Sequence, residues 1–153
     1  MPFLGTITSS DNQTLKYVRS LQQKKRVRYR EQRYVVEGSR SLAHALERGV
    51  RPVFVLYSED YVTRPAEAET MEADATSADA RKALIARLQD SGASIWQVGP
   101  ALFDALADTV TPQGIMAVLP MPEAAPALAK SADLLLVLDE IRDPGLQKKA
   151  LRS

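Results

Sequence analysis

The residues best suited to chemistry form a basic run at positions 24–33, which holds six cations: Lys24, Lys25, Arg26, Arg28, Arg30 and Arg33. On a helix, Arg26, Arg30 and Arg33 would be spaced i, i+4 and i+7 on one face, so together they could follow a row of phosphates. Tyr29 and Tyr34 add rings on which an unstacked base could rest. Such binding releases counterions, so its affinity falls steeply with salt. The alternative is a solvated basic helix without a ligand.

The charge of the chain is strongly segregated, although its net value is only +1. Residues 1–51 hold eleven Lys or Arg and four Asp or Glu, a net charge of +7. Residues 52–130 hold five Lys or Arg and eleven Asp or Glu, a net charge of −6. One end of the chain is therefore suited to a polyanion and the other is not.

A second candidate site is the tetrapeptide Glu37-Gly38-Ser39-Arg40. Turn chemistry explains three of these residues: Gly38 would supply an unusual φ, Ser39 an N-cap, and Glu37 a partner for a neighbouring Arg. Arg40 in the first helical turn opposes the helix dipole, which is easier to explain if its guanidinium grips an anion such as phosphate. Both interpretations stay open.

Three further features favour structural roles. His44 has no second candidate base nearby and is interpreted as a packed or surface residue. Trp96 is interpreted as a core residue. Residues 111–114 are interpreted as a turn that enters a strand.

Composition limits the class of protein. The chain of 153 residues is 45% hydrophobic and 25% charged, which is ordinary for a soluble globular protein. No apolar run approaches the roughly 20 residues of a membrane span, and residues 1–5 lack the features of a signal peptide. With no cysteine and one histidine, neither a disulfide framework nor a thiolate zinc site is available. We expect a cytoplasmic protein without membrane contact or bound metal.

Strand and helix patterns alternate along the chain. Apolar spacing predicts helices over 11–23 (capped by Asp11 or Ser10), 41–48 (stopped by Gly49), 78–91 and 100–107, and strands over 34–36, 52–57, 94–98 and 113–119. The acidic residues 58–77 are predicted to be a peripheral loop or weak helix. Alternation of this kind indicates an α/β fold, a mostly parallel sheet covered on both faces.

The last part of the chain has a different character. Residues 121–132 contain two prolines and several alanines, which is typical of a linker. Residues 133–139 are then predicted to be a new aliphatic strand. Such a strand has no pairing partner in the preceding domain, which suggests the start of another domain. A carboxylate cluster that could hold Mg²⁺ or act as acid and base follows: Asp139, Glu140 and Asp143.

Four segments in order resemble the SpoU (TrmH-like) family of RNA 2′-O-ribose methyltransferases. The first is residues 7–12 with Lys16 and the basic 24–26, similar to the family's N-terminal arm. The second is residues 33–40, similar to its F-x-V-E-G-x-R signature. The third is residues 111–118, which resemble T-P-Q-G-I-x-A-V, and the fourth is residues 136–145, similar to the opening of the methyltransferase domain.

The resemblance implies a three-layer α/β/α substrate-binding domain similar to ribosomal proteins that grip kinked RNA. It would be followed by a knotted SPOUT domain that binds S-adenosylmethionine and forms a homodimer. The implied division is an N-terminal arm helix (1–23), an RNA substrate-binding domain (24–120), a linker (121–132) and the truncated start of the SPOUT domain (133–153). It also implies that Asn12 and Lys16 contact RNA, although an ordinary helix start explains them equally well.

After Gly145 the sequence departs from the family pattern. Residues 146–149 replace the family's Asn-x-Gly stretch, and Arg152 falls in register with the family's active-site arginine. We therefore expect S-adenosylmethionine to serve the complete protein, with none bound to this chain. Methyl transfer needs both reactants held in line, so this chain alone should be inactive and a monomer or weak dimer.

The leading hypothesis is that the chain recruits structured rRNA or tRNA for 2′-O-methylation. The RNA-binding residues would be Asn12, Lys16, Lys24, Lys25, Arg26, Arg28, Arg30, Arg33 and Arg40. One alternative is a stand-alone RNA-binding module without an enzyme. Another is a protein-interaction domain that docks its partner through the acidic residues 59–79.

Overall fold

The computed structural model describes residues 3–64 and 77–122 of the chain. The strands are β1 (Phe3–Ile7), β2 (Arg33–Glu37), β3 (Phe54–Ser58), β4 (Ser94–Val98) and β5 (Ile115–Pro120). The helices are α1 (Gln13–Gln23), α2 (Lys25–Glu31), α3 (Ser39–Glu47), α4 (Ala78–Asp90) and α5 (Pro100–Leu106). Most of the linker, the strand predicted at 133–139, the carboxylate cluster and Arg152 lie outside the described residues.

The strands form one sheet in the order β1-β4-β3-β5-β2. β1, β4 and β3 run parallel, whereas β5 is antiparallel to both of its neighbours, β3 and β2. Four of the five strands therefore point the same way, which confirms the mostly parallel sheet. The carboxyl ends of β2 and β3 consequently lie at the same edge as the first residue of β5. We call this the carboxyl edge of the sheet.

Both faces of the sheet are covered by helices. In β5, Met116 and Val118 pack with α1 and α5, while Ile115 and Ala117 pack with α3 and α4. Adjacent residues of a strand point to opposite faces, so a strand buried on both sides must be apolar throughout. The described residues thus form three layers, helices on each side of the sheet.

The segment predicted as an N-terminal arm contributes to this core. Leu15, Val18 and Leu21 of α1 are fully or almost fully buried, with exposed fractions of 4%, 1% and 0%. β1 was not predicted as a strand, because Phe3 and Leu4 are about half exposed and supply no inward-facing pattern. β1 lies at the edge of the sheet and pairs with β4 alone, so it forms a strand although most of its side chains are not buried.

Two predicted helix caps are wrong. Asn12, rather than Asp11 or Ser10, caps α1, because its Oδ1 accepts a hydrogen bond of 2.8 Å from the backbone N–H of Thr14. α3 begins two residues earlier than predicted, so its N-cap is Gly38 and Ser39 lies inside the helix. Gly49 does follow the end of α3 with a φ of +75°, as a glycine after a helix is expected to do.

The beginning of the acidic segment is not peripheral. Tyr61, three residues after β3, is completely buried and packs in the core on the α3/α4 face. The prediction of a peripheral loop is therefore wrong for residues 58–64. The negative charge of the whole segment concealed the one large aromatic side chain that anchors its start.

Candidate nucleic-acid interface

The basic run is divided between two elements rather than carried on one helix. α2 ends at Gln32, which adopts the left-handed conformation with φ of 52° and ψ of 45°. Arg33 is consequently the first residue of β2. The predicted face of Arg26, Arg30 and Arg33 is therefore wrong, because the chain changes direction between the second and third of these residues.

Three cations at the start of this run point into solvent. Lys24, Lys25 and Arg26 are exposed, and none forms an ion pair with a carboxylate in the described part of the chain. The Nζ of Lys25 lies 5.6 Å from the ring centroid of Tyr29, itself exposed. We call Lys24, Lys25 and Arg26 the α2 cations. They are available to an external anion at little desolvation cost.

The other cations of the run have partners within the chain. Nη1 of Arg28 donates hydrogen bonds of 2.8 and 2.9 Å to the carbonyl oxygens of Leu21 and Gln22, at the end of α1. Arg28 therefore satisfies carbonyls that the helix leaves without partners. Arg30 pairs with Glu31 at 2.9 Å on the surface. These contacts leave fewer N–H donors of Arg28 and Arg30 available to a ligand.

At the start of α1, Asn12 and Lys16 have local partners. Asn12 is half-buried and its side chain forms the helix cap described above. Lys16 is exposed and pairs with Asp11 at 3.0 Å. An exposed pair of this kind contributes little stability and can be exchanged for a phosphate.

Arg40 is separated from the α2 cations. It lies exposed in the first turn of α3, beyond the carboxyl end of β2, whereas α2 precedes the amino end of that strand. A strand advances about 3.3 Å per residue, so the two ends of β2 are about 13 Å apart. The predicted residues thus lie in three places: the start of α1 (Asn12 and Lys16), the run from Lys24 to Arg33, and Arg40 in α3.

Residues 37–38 and the loop before β5 meet at the carboxyl edge of the sheet. Oε1 of Glu37 accepts 3.0 Å hydrogen bonds from the hydroxyl of Thr109 and the backbone N–H of Gln113. The backbone N–H of Gly38 donates to the carbonyl of Ile115 at 2.9 Å. Glu37 therefore holds the loop before β5. Among the described residues it forms no ion pair with an arginine, contrary to the turn interpretation. Residues 111–114 lead directly into β5, as predicted, but as an irregular segment with bends rather than a turn.

Arg64, which the sequence analysis did not single out, also holds the loop before β5. Its Nη1 donates to the carbonyl of Pro112, its Nε to Asp60 and its Nη2 to Asp104, each at 2.9 Å. Gly114 packs against the Arg64 side chain. One signal could have found it: Arg64 is the one cation in the acidic residues 58–77.

A buried polar network continues from this loop to α3. The hydroxyls of Ser39 and Tyr61 are 2.7 Å apart and share a hydrogen bond. Arg81 of α4 is 6% exposed and donates to the carbonyls of Tyr61 and Arg64 at 2.8 and 2.7 Å. Ser39 thus anchors the helix to the turn after β3, a role different from the predicted cap.

This network predicts a pH dependence that centres on Asp60. Burial acts to raise the pKa of Asp60, but hydrogen bonds from Ser58 and Arg64 and the charge of Arg64 lower it below its ordinary 3.8. A carboxyl with a lower pKa in the folded chain stabilises the fold above its ordinary pKa. That contribution disappears as the pH falls through the folded value. We expect the free energy of unfolding to decline below about pH 4.

Urea unfolding at neutral pH and near pH 3 would measure this effect in the wild type and in Asp60→Asn. Asp60→Asn should show a smaller decline because it has no carboxyl to protonate. Asp108→Asn removes an exposed carboxyl that forms no ion pair with Arg64, so it is the matched control and should behave as the wild type. Equal declines in all three proteins would contradict the prediction.

The remaining sequence predictions concern isolated residues. His44 is exposed, accepts a hydrogen bond from Arg48 and lies 3.6 Å from Glu47, so it is a surface residue. Trp96 is half-buried against the α1/α5 side of the core rather than enclosed. Within residues 3–64 and 77–122, no group of His, Asp or Glu is arranged to hold a metal ion. In the same residues, no helix is long and apolar enough to cross a membrane.

Comparison with known families identifies this domain. Residues 12–117, more than half of the chain, match the model of the MRM3-like substrate-binding domain. The chain therefore belongs to that family, and the first three of the four segments that carried the resemblance lie within or overlap the matched residues. No curated protein sequence matches the chain significantly.

Solved structures share the fold. An rRNA methyltransferase from Sinorhizobium meliloti is similar over 78% of this chain and 38% of its own, with a TM-score of 0.58 and 17% identity. An RNA 2′-O ribose methyltransferase is similar over 78% and 39%, with a TM-score of 0.53 and 21% identity. The SpoU methyltransferase AviRb from Streptomyces viridochromogenes, solved with AdoMet, is similar over 72% and 34%, with a TM-score of 0.50 and 19% identity. This chain thus corresponds to about two fifths of the first two proteins.

Proposed function

We propose that this chain recruits structured RNA for ribose 2′-O-methylation, and that the α2 cations make the principal phosphate contacts. The observation that carries the proposal is a group of exposed cations, without carboxylate partners among the described residues, in a chain that belongs to a substrate-binding family. Phosphate contacts supply most of the affinity of proteins for RNA when base contacts are few. Lys16, Arg30 and Arg33 would extend the contact, and Asn12 and Arg28 would hold the helices that present it.

We further propose S-adenosylmethionine as the methyl donor of the complete protein, in the cytoplasm and as a homodimer, with rRNA or tRNA as the substrate. The S. meliloti protein and AviRb have been solved with this cofactor, which supports the assignment. Among the described residues we assign no site to it, so no methyl-transfer step is derived for this chain. Arg152 would act only within a complete catalytic domain.

The proposal is tested by titrating the chain into a labelled RNA hairpin at several salt concentrations. Each phosphate neutralised contributes about 0.7 to 0.9 to the slope of log affinity against log salt, so the three α2 cations should give a slope near −2 to −3. Affinity should then fall roughly 30-fold between about 50 and 200 mM salt. Undetectable binding, or binding that does not respond to salt, would reject the RNA-recruiting function.

A further inference from the structure

A groove of about 420 Å³ lies between the first turns of α1 and the amino ends of β3 and β4. Its apolar lining includes the rings of Tyr17, Phe54 and Trp96. The ring centroids of Tyr17 and Phe54 are 6.3 Å apart and their planes are inclined by 43°. Trp96 is only half-buried, so its ring is accessible from the groove. Three aromatic side chains therefore line one open groove.

The walls of the groove also carry hydrogen-bonding groups. Gln13 and Thr14 of α1 lie on one side and Ser94 of β4 on another. Aromatic surfaces combined with a few polar groups, in a volume of roughly 300–1,000 Å³, are typical of sites for flat, partly polar ligands. A nucleobase has this character, since it offers a π-face for stacking and an edge of donors and acceptors.

Three cations lie close in sequence or in contact with residues that line the same groove. Nη1 of Arg33 donates a 3.3 Å hydrogen bond to the hydroxyl of Tyr17, so this guanidinium contacts one of the lining side chains. Lys16 is adjacent to Tyr17 in α1, and the exposed Arg51 precedes β3 by three residues. The groove therefore has cations beside it, and one of them, Arg33, belongs to the basic run; this favours an occupant that carries phosphates.

We propose that this groove receives one unstacked base of the RNA whose backbone is held by the α2 cations. The inference rests on the proposed function and adds the feature of the RNA that is recognised: an unpaired nucleotide next to a helical stem. A base in a duplex is stacked on both faces and cannot enter the groove. The aromatic site therefore selects RNA with a bulge, loop or end, a selection that the cations cannot make because every RNA carries phosphates.

Trp96 is the only tryptophan of the chain and reports directly on the groove. We would add a hairpin with an unpaired loop, or a fully paired duplex with the same number of phosphates, and follow tryptophan emission. The hairpin should quench Trp96 by stacking, and the duplex should bind without quenching. Anisotropy of the labelled RNAs gives the two affinities independently.

Two substitutions separate stacking from charge. Trp96→Leu should lower the affinity for the hairpin about tenfold and leave the affinity for the duplex unchanged. Trp96→Phe keeps an aromatic ring and should therefore retain most of the wild-type affinity for the hairpin. Gln13→Glu places a carboxylate at the groove wall, in a helix position where an acidic residue favours folding. It should weaken hairpin binding more than duplex binding, and thermal unfolding verifies that each variant is folded.

The outcomes distinguish the inference from the function on which it rests. If neither RNA binds, the RNA-recruiting function itself fails. If both RNAs bind equally and Trp96→Leu changes neither affinity, RNA binding stands and the base site is rejected. A chain that is dimeric by sedimentation, and monomeric after Leu4→Asp, would assign the groove to a second copy and also overturn the inference.

Discussion

Reversing the charge of the three α2 cations, with Lys24→Glu, Lys25→Glu and Arg26→Glu combined, is expected to lower affinity for an RNA hairpin by at least roughly 100-fold. At about 0.1 M salt, release of counterions contributes close to tenfold in affinity per phosphate contact, so three contacts account for this loss before repulsion is counted. The salt slope should also fall by about 2 to 3. Fluorescence anisotropy at several salt concentrations measures both quantities.

The fold should tolerate this change. All three side chains are exposed, and acidic residues at the start of α2 agree with its dipole. The matched control reverses three exposed cations on the other side of the sheet, Arg48, Lys82 and Arg87, and should retain most of the affinity. Comparable losses of affinity in both triple variants would show that net charge alone governs binding. The proposal that the α2 cations make the phosphate contacts would then be rejected.

Replacing Gly38 by alanine is expected to destabilise the fold by about 3 kcal/mol, because its φ of +104° and ψ of 142° are accessible to essentially no residue other than glycine. A Cβ at this position would also lie 2.5 Å from Oε1 of Gln113. That amide is the end of a flexible, exposed side chain and can move. Backbone strain should therefore account for most of the loss, which urea unfolding of Gly38→Ala would measure.

Two further variants apportion the effect. Gly49→Ala has a φ of +75° with nothing within 4 Å of the added Cβ, so it should lose only about 1 kcal/mol. Combining Gly38→Ala with Gln113→Ala removes the steric contact and should recover a minor part of the loss. A full recovery would show that the contact with Gln113, and not the backbone, makes glycine necessary at residue 38.

Much of the fold could be predicted from local patterns. The apolar spacing of Leu15, Val18 and Leu21 predicted α1, and the helices and strands of the core were placed within a few residues of their observed bounds. Such patterns succeed because burial repeats with the period of the helix or strand. The prediction missed β1 because an edge strand with exposed side chains has no such periodic pattern.

The candidate site was predicted less completely. The basic run was evident from residue types, yet its division between α2 and β2 depends on one left-handed residue, Gln32. Residue propensities do not predict that a glutamine adopts the left-handed backbone conformation at this position. Arg28 was assigned to RNA because local sequence does not show that the end of α1 supplies carbonyls within its reach.

What the sequence determined by itself is the segregation of charge, the alternation of strands and helices, and the family, since all three depend on residue types and their order. Tertiary structure decided which cations remain available, because the partners of Arg28 in α2 and of Arg33 in β2 lie on α1. It also decided that Glu37 meets Thr109, 72 positions away, and that Tyr17, Phe54 and Trp96 share one groove. The order of strands in the sheet creates these contacts, and that order depends on how the whole core packs.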